Sequence, residues 1–386
     1  MVKVAYVFTP IEFGGAEKVN LLFLQNVDRN QYEICPIVLT RPWEGENLFI
    51  EHLRRANYPI HQIAVAQRPR NEGKDYFRIL KCIRRLFNIL SEGSFHLIHT
   101  HGYFADIIGV PVAKVLKVPH MSTCHGFISN NWNLRVYNWL DKVSLHFCEK
   151  IIAVSEDIKS DLVRNGIKKS RIVVIKNAVE DTYQENFCKN IRLEKRQELS
   201  IEENEFVIGY VGRLSGEKGV KYLIETGCLL KVSGDPFKIL IVGDGPERNE
   251  LEDLADRKGI KEGIIFAGFQ SDVENWLPAV DAFVLPSLTE GTPMSLLEAM
   301  ACGIPVVASA VGGVPLVVDS GRNGILVAPG KPEEIAGAIN ELQSNEILRK
   351  NLAVEAKRTV KLKYNVDDWV RKIETEYLKT IHKEGK

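Results

Sequence analysis

The sequence predicts an α/β protein with two doubly wound, parallel-sheet domains, and three observations carry that expectation. Short apolar runs alternate with helical patterns along the whole 386-residue chain. Such alternation builds parallel sheets covered by crossover helices. About a dozen of these runs are present, more than one open sheet usually holds. A polar, charged stretch from Glu180 to Glu205 interrupts the pattern near the middle and lacks regularly spaced apolar residues.

Before that break, strands are expected at 2–8, 34–39, 60–64, 96–99, 120–123, 150–154 and 172–175. The first reads Val2-Lys3-Val4-Ala5-Tyr6-Val7-Phe8 and the last Ile172-Val173-Val174-Ile175, both rich in β-branched residues. After the break, Phe206-Val207-Ile208-Gly209-Tyr210-Val211 restarts the pattern, and runs follow at 237–242, 263–266, 281–285, 304–308 and 325–327. Helices fill most intervals, and the tail from 333 to 386 is helical and charge-rich. The expected domains are 1–180 and 205–364, joined by a linker at 181–204, with 365–386 a terminal helix packing back on the first domain. Two such domains facing each other would form a cleft at the carboxyl ends of both sheets.

Formal charge is zero but unevenly spread. Residues 1–180 hold 24 Lys and Arg against 17 Asp and Glu, a net of +7, and the remainder stands at −7. The first half therefore suits an anionic partner. The seven cysteines form no Cys-x-x-Cys pair, so neither a zinc site nor a disulfide framework is expected. The opening residues read as a strand rather than a leader, and no run reaches the ~18 apolar residues of a membrane span. The expected location is cytoplasmic, with peripheral contact to the inner face of a membrane as its extension, and no nucleic acid is expected as a partner.

Residues 287–308 carry the most chemistry: Ser-Leu-Thr-Glu-Gly-Thr-Pro-Met-Ser-Leu-Leu-Glu-Ala-Met-Ala-Cys-Gly-Ile-Pro-Val-Val-Ala. A strand ending at Pro286 runs into a loop with Glu290, Gly291 and Pro293, and a helix then carries Glu298. Backbone amides at a helix N-terminus bind phosphate without any special side chain. Glu298 and Glu290 flank that anion site and can reach polyol hydroxyls, which suits a ligand that is both a diphosphate and a carbohydrate. Arg213, at the end of another strand, and Lys218, opening the next helix, suit a diphosphate clamp of planar fork and point charge. The alternative is a solvated surface pair. Val242-Gly243-Asp244-Gly245-Pro246 is either a tight turn or backbone lining a nucleoside pocket. Phe13-Gly14-Gly15-Ala16-Glu17 is a strand-to-helix turn where backbone can approach a ligand, or a turn that needs glycine for its own geometry.

His99 and His101 follow one apolar strand and His125 another. Adjacent strand ends would bring them together to donate to sugar hydroxyls, and cysteine and carboxylate partners lack the spacing for zinc. A helix near 74–90 places Lys74, Arg78, Lys81 and Arg85 on one stripe, with Phe77, Leu80, Ile83, Phe87 and Leu90 on the other face. Its plain reading is the solvated face of a packed helix. Its sharper reading is contact with anionic lipid.

Taken together these motifs resemble the group 1 (family 4) glycosyltransferases, retaining nucleotide-sugar enzymes of the GT-B architecture, and the resemblance spans nearly the whole chain. Glu290 through Glu298 is similar to that family's Glu-x7-Glu signature, and Gly14-Gly15-Ala16-Glu17 to its N-terminal glycine loop. Arg213 and Lys218 match its diphosphate-binding pair, Phe266-Ala267-Gly268-Phe269 and Val284-Leu285-Pro286-Ser287 match the strands around its nucleoside site, and Val311-Gly312-Gly313 matches the loop after the signature. The sequence departs from the pattern at Asn177-Ala178-Val179-Glu180, where Asn-Gly-Val-Asp is usual.

The resemblance implies two Rossmann-like domains, the first for the acceptor and the second for the nucleotide sugar. It implies that Glu298 binds ribose, that Glu290 meets the transferred sugar, that Gly291 belongs to the donor site, and that the amides of Met294, Ser295 and Leu296, with Gly15, meet phosphate. Gly245 and Phe269 belong to the donor site. His125 is similar to the histidine near the anomeric centre, with His101 and Tyr103 in the acceptor region. The implied catalytic set is His125, Glu290, Arg213 and Lys218. The nucleoside-diphosphate sugar is a co-substrate, and no metal or other cofactor is expected. The acceptor is expected to be a glycan or a lipid-linked precursor. The rival expectations are a hydrolase or epimerase of the same fold and a non-catalytic two-domain sugar-binding protein. A nicotinamide oxidoreductase is less well matched, because Gly14-Gly15 lacks the three spaced glycines and following acid.

Overall fold

The computed structural model describes residues 1–10, 14–41, 47–65, 75–126, 132–180, 185–233 and 236–382, with backbone alone at 75–76, 132–135, 185–187 and 232–233. The chain divides into two compact units, Met1–Asn177 with Val366–Lys386, and Ala178–Asn365.

The first unit holds a seven-stranded parallel sheet. Its strands are β1 (Val2–Phe8), β2 (Tyr32–Thr40), β3 (His61–Ala64), β4 (Leu97–His101), β5 (His120–Cys124), β6 (Lys150–Ala153) and β7 (Ile172–Val174), in the order β3-β2-β1-β4-β5-β6-β7. Helices α1 (Gly15–Asn26), α2 (Leu48–Arg55), α3 (Asp75–Glu92), α4 (Tyr103–Leu116), α5 (Trp132–Leu145) and α6 (Glu156–Arg164) connect them. The central strands are buried because both faces are covered, and β4 and β5 carry the buried polar residues His99, Thr100, His101, His120, Ser122 and Thr123 among their apolar ones.

The second unit holds a six-stranded parallel sheet in the order β10-β9-β8-β11-β12-β13. Its strands are β8 (Phe206–Val211), β9 (Phe237–Val242), β10 (Ile264–Gly268), β11 (Ala282–Leu285), β12 (Val306–Ser309) and β13 (Ile325–Val327). Around them lie α7 (Glu185–Glu198), α8 (Val220–Ser233), α9 (Arg248–Arg257), α10 (Met294–Ala301), α11 (Pro332–Ser344) and α12 (Glu346–Lys363). In each unit the first strand is central, and the chain winds outward to one side and then to the other. The switch points therefore lie between β1 and β4 and between β8 and β11, where the crevice of such a sheet binds ligands.

The stretch 181–204, read from sequence as a linker, holds α7. Charge rather than an apolar stripe anchors this helix. Arg192 pairs with Asp281 at 2.7 Å and Arg196 with the same carboxylate at 3.3 Å, while Lys195 lies 4.2 Å over Trp276. Asp281 also accepts from the Val207 amide at 2.8 Å, which ties α7 to the start of β8. The last helix, α13 (Val366–Ile381), belongs to the first unit. There it buries Trp369, Val370, Ile373 and Tyr377, with Tyr377 5.9 Å from Phe23 and 5.4 Å from the His99 ring.

The basic helix requires a correction. The packed face of α3 is centred on Cys82, Leu86 and Leu90, so Phe77 and Leu80 turn outward, 60% and 56% exposed. Arg78 does not sit on a free stripe: it donates to the Tyr137 hydroxyl at 2.7 Å and lies 5.7 Å over the Phe104 ring. Arg85 donates to the Ala64 carbonyl at 3.1 Å. Lys74 lies outside the described residues.

Candidate functional site

In the second unit the loops leaving β8, β9 and β11 are tied to one another. The Leu214 amide donates to the Asp244 carbonyl at 2.9 Å, and the Leu288 amide to the Glu217 carbonyl at 2.8 Å. Lys218 follows β8 and Glu290 follows β11, so both stand at the switch point. There the Lys218 ammonium meets Glu290 Oε1 at 2.7 Å. The same oxygen accepts from the hydroxyl of Ser287 at 2.8 Å. Only 6% of the Glu290 side chain is exposed, against 27% for Lys218.

The approach is close enough to demand glycine at two places. A Cβ on Gly219, at φ +65°, would lie 2.3 Å from the Pro286 carbonyl oxygen, and one on Gly312 would lie 1.9 Å from that of Glu290. These contacts pin the Glu290 loop between the segments following β8 and β12.

Beyond this loop α10 starts after Pro293, and its first intrahelical bond runs from Leu297 N to Pro293 O at 3.3 Å. The amides of Met294, Ser295 and Leu296 precede that bond and have no intrahelical acceptor. Glu298 is buried on the second turn of the same helix. Arg213 is exposed, with its carbonyl fixed by the Tyr210 hydroxyl at 2.9 Å. Glu217 lies beside the cations. Burial pushes its carboxyl up, but the Ser215 hydroxyl, its own amide, Lys218 and Arg213 together hold it below the usual range. Gly245 follows β9, where a Cβ would meet the Leu214 carbonyl oxygen at 2.4 Å, and Phe269 follows β10 with its ring 44% exposed.

In the first unit, Gly14 caps α1 and its amide donates to Glu17 at 3.1 Å, which leaves exposed Gly15 as the first helical residue after β1. His101 ends β4, on the other side of that unit's switch point, and His125 follows β5. Their rings lie 5.9 Å apart, and the His101 ring also sits tilted 4.3 Å from that of Tyr6 and 4.1 Å from that of His99. A cavity of about 10 Å³, roughly one water in size, is lined by Tyr6, Asn20, His101, Thr123, His125 and Asn177 among others. Both ring nitrogens of His101 and Nε2 of His125 are buried beside it without a hydrogen-bond partner among the described residues. Burial pulls His125 down to about 4 and His101 well below its ordinary value, so both rings are neutral donors or acceptors at neutral pH. Tyr103 points elsewhere, packing 5.6 Å from Tyr137 of α5.

The structure thus brings together Lys218, Glu290 and the α10 amides in one unit, and His101 with His125 in the other. Sequence reasoning passed over Ser287 as the group that fixes Glu290, although it had marked Pro286-Ser287 as a strand end. It also passed over Asn20, whose carbonyl accepts from the Tyr6 hydroxyl at 2.7 Å beside the histidine cavity.

Comparison with known proteins places these features in a group. The family model described as glycosyl transferases group 1 matches residues 191–359, and that of glycosyltransferase family 4 matches residues 13–183. An uncharacterized glycosyltransferase of Methanocaldococcus jannaschii is 30% identical over 278 residues, 70% of this chain and 72% of its own. The UDP-Gal:alpha-D-GlcNAc-diphosphoundecaprenol alpha-1,3-galactosyltransferase of Escherichia coli is 28% identical over 286 residues, covering 70% and 72%. Among solved structures, Anabaena HepE in complex with UDP-glucose has the same fold, with a TM-score of 0.80 at 23% identity over 97% of this chain and 99% of that one.

Proposed function

The chain belongs to the group 1, family 4-like glycosyltransferases, and from that premise we propose that it transfers a hexosyl group from a nucleoside-diphosphate donor to a hydroxyl acceptor with retention. The observation that carries the reading is the 2.7 Å Lys218–Glu290 pair at the switch point of the second sheet, next to the first turn of α10. Lys218, Arg213 and the amides of Met294, Ser295 and Leu296 meet the diphosphate. Glu298 takes the ribose hydroxyls, Glu290 and Gly291 take the sugar, and Gly245 and Phe269 lie beside the base.

The leaving group gains negative charge as the glycosidic bond breaks. Cations and oriented amides aimed at that charge bind the transition state better than the ground state. Glu290 is already held by a lysine and a serine hydroxyl, which suits a fixed acceptor for sugar hydroxyls better than a proton donor. The acceptor's proton then goes to the departing phosphate. Gly15 is assigned to donor phosphate, His125 to the reacting sugar and His101 to the acceptor, while Tyr103, packed on Tyr137, is left out of that set.

The cationic groups supply the countercharge to the diphosphate, so donor turnover is proposed to be independent of metal. Activity should survive a chelator; its loss, with rescue by added divalent cation, would contradict this.

The acceptor is proposed to be a lipid-linked glycan, by similarity to the Escherichia coli relative. Peripheral contact with anionic membrane fits the outward side chains of Phe77 and Leu80 on α3 and of Val136, Trp139 and Val143 on α5, with Lys81 and Arg84 exposed beside them. Co-sedimentation with phosphatidylglycerol vesicles should drop for Trp139→Ser/Leu80→Ser, and unchanged binding would remove this surface from the account.

The whole reading is tested by incubating a panel of nucleotide sugars with acceptor and determining the product by NMR. An α-linked product from an α-donor is expected. Free sugar alone would favour a hydrolase of the same fold, and an inverted linkage would refute retention.

A further inference from the structure

Two cysteines distant in sequence meet inside the second unit. Cys188 lies on α7 and Cys302 caps the C-terminal end of α10, and their sulfur atoms are 3.9 Å apart. Both thiols are partly accessible, whereas Cys35, Cys82, Cys124 and Cys148 are buried. Their surroundings divide the pair into two roles. The contact with Cys302, in which either sulfur can donate, with help from Lys357 brings the Cys188 thiol down to about 7 against the opposing effect of burial. Cys302 is pushed up, first by that same contact and then by burial. One sulfur is thus prepared as a thiolate nucleophile and the other holds its proton, the arrangement of an attacking and a resolving cysteine.

We propose that Cys188 and Cys302 form a peroxide-reactive dithiol, a modification site at which a hydroperoxide converts the pair to a disulfide. In the first step the Cys188 thiolate attacks one peroxide oxygen. The O–O bond breaks, Cys188 becomes a sulfenic acid, and the displaced hydroxide takes up a proton to leave as water. In the second, the Cys302 sulfur attacks the Cys188 sulfur. The S–S bond forms, the S–O bond breaks, and the Cys302 proton leaves with the departing oxygen as a second water. Two thiols lose two electrons and one hydroperoxide gains them. The sulfurs need to approach from 3.9 Å to about 2.05 Å, a shift within the reach of side-chain rotation and small helix movement.

The bond would join α7, itself held through Arg192 and Arg196 to Asp281, to the end of the helix whose first turn carries Met294, Ser295 and Leu296. The inference does not depend on the proposed transfer reaction, because its test reads thiols and not turnover.

The full-length protein is treated with hydrogen peroxide, alkylated with iodoacetamide under denaturing conditions, and mapped by mass spectrometry. Two of the seven thiols should become protected, with a mass loss of two hydrogens and one cross-linked peptide pair joining Cys188 to Cys302, reversed by dithiothreitol. Cys188 should react at least ~10-fold faster than the buried cysteines. Cys302→Ser should stop at a sulfenic acid on Cys188 that dimedone traps, and Cys188→Ser should form no cross-link. The inference is overturned if wild-type protein keeps all its thiols alkylatable, if Cys188 reacts no faster than the buried cysteines, or if the cross-link joins other cysteines.

Discussion

Glu290 and Lys218 hold each other in place before any ligand arrives. A carboxylate with 6% of its side chain exposed, bound to one ammonium and one hydroxyl, is already oriented, which would lower the entropic cost of the sugar contact proposed for it. Glu290→Ala or Lys218→Ala should therefore lower turnover at least ~100-fold, the scale for losing one group that stabilises developing charge. Steady-state rates at saturating donor measure this, and near wild-type rates would strip either residue of its role. Both residues were legible in the sequence because spacing and strand ends mark them. Ser287 was not, since nothing in a strand-end serine says which oxygen its hydroxyl will face. The histidines give a second expectation. The folded state holds His125 near 4, below its ordinary value of 6.5. That residue therefore contributes stability above about pH 6.5, which is lost as pH falls through 4. His125→Gln should flatten the fall in melting temperature between pH 6.5 and 4, and an unchanged slope would place the acid sensitivity elsewhere.

Elements were legible where an apolar stripe or run defined them and illegible where charge did. Strands such as β1, β8, β11 and β12 fall on apolar runs, because buried parallel strands have no solvated face, whereas β4 and β5 mix buried polar residues with apolar ones. Helix α7 left no such trace. Its grip on the sheet comes from Arg192 and Arg196 around one carboxylate and from Lys195 on Trp276. Asp281→Ala should cost about 3 kcal/mol, because it leaves a largely buried Arg196 without its countercharge. Urea unfolding measures this, and a loss under about 0.5 kcal/mol, the size of an ordinary surface change, would mean that α7 is held by other means. Helix α3 was misread for a related reason. Its apolar residues exceed what one face can bury, and only packing decides that Cys82, Leu86 and Leu90 go in while Phe77 and Leu80 stay out.

For the whole molecule, the two doubly wound sheets and their order along the chain follow from alternation and one polar break. Residues 366–381 belong to the first unit; which groups α13 meets there left no local signal in the sequence, since those contacts span nearly the full length of the chain. Tyr377 is fully buried there, its hydroxyl 2.7 Å from His99 Nδ1, and His99 in turn bonds Thr123 at 2.8 Å. A chain truncated after Asn365 should lose the calorimetric transition of the first unit, since the apolar surface around Phe23 and Tyr32 would be uncovered. An unaltered thermogram would show that α13 is dispensable.

Calorimetric titration asks whether a diphosphate is held at Lys218 beside the first turn of α10. A nucleoside diphosphate and its parent nucleoside, with the base chosen by the largest thermal shift, are titrated into wild type and Lys218→Ala. The diphosphate should bind wild type at least ~10-fold tighter than the nucleoside, the scale of one charge-assisted contact, and Lys218→Ala should remove most of that difference. Equal affinities for diphosphate and nucleoside in wild type, or an advantage untouched by the substitution, would contradict it.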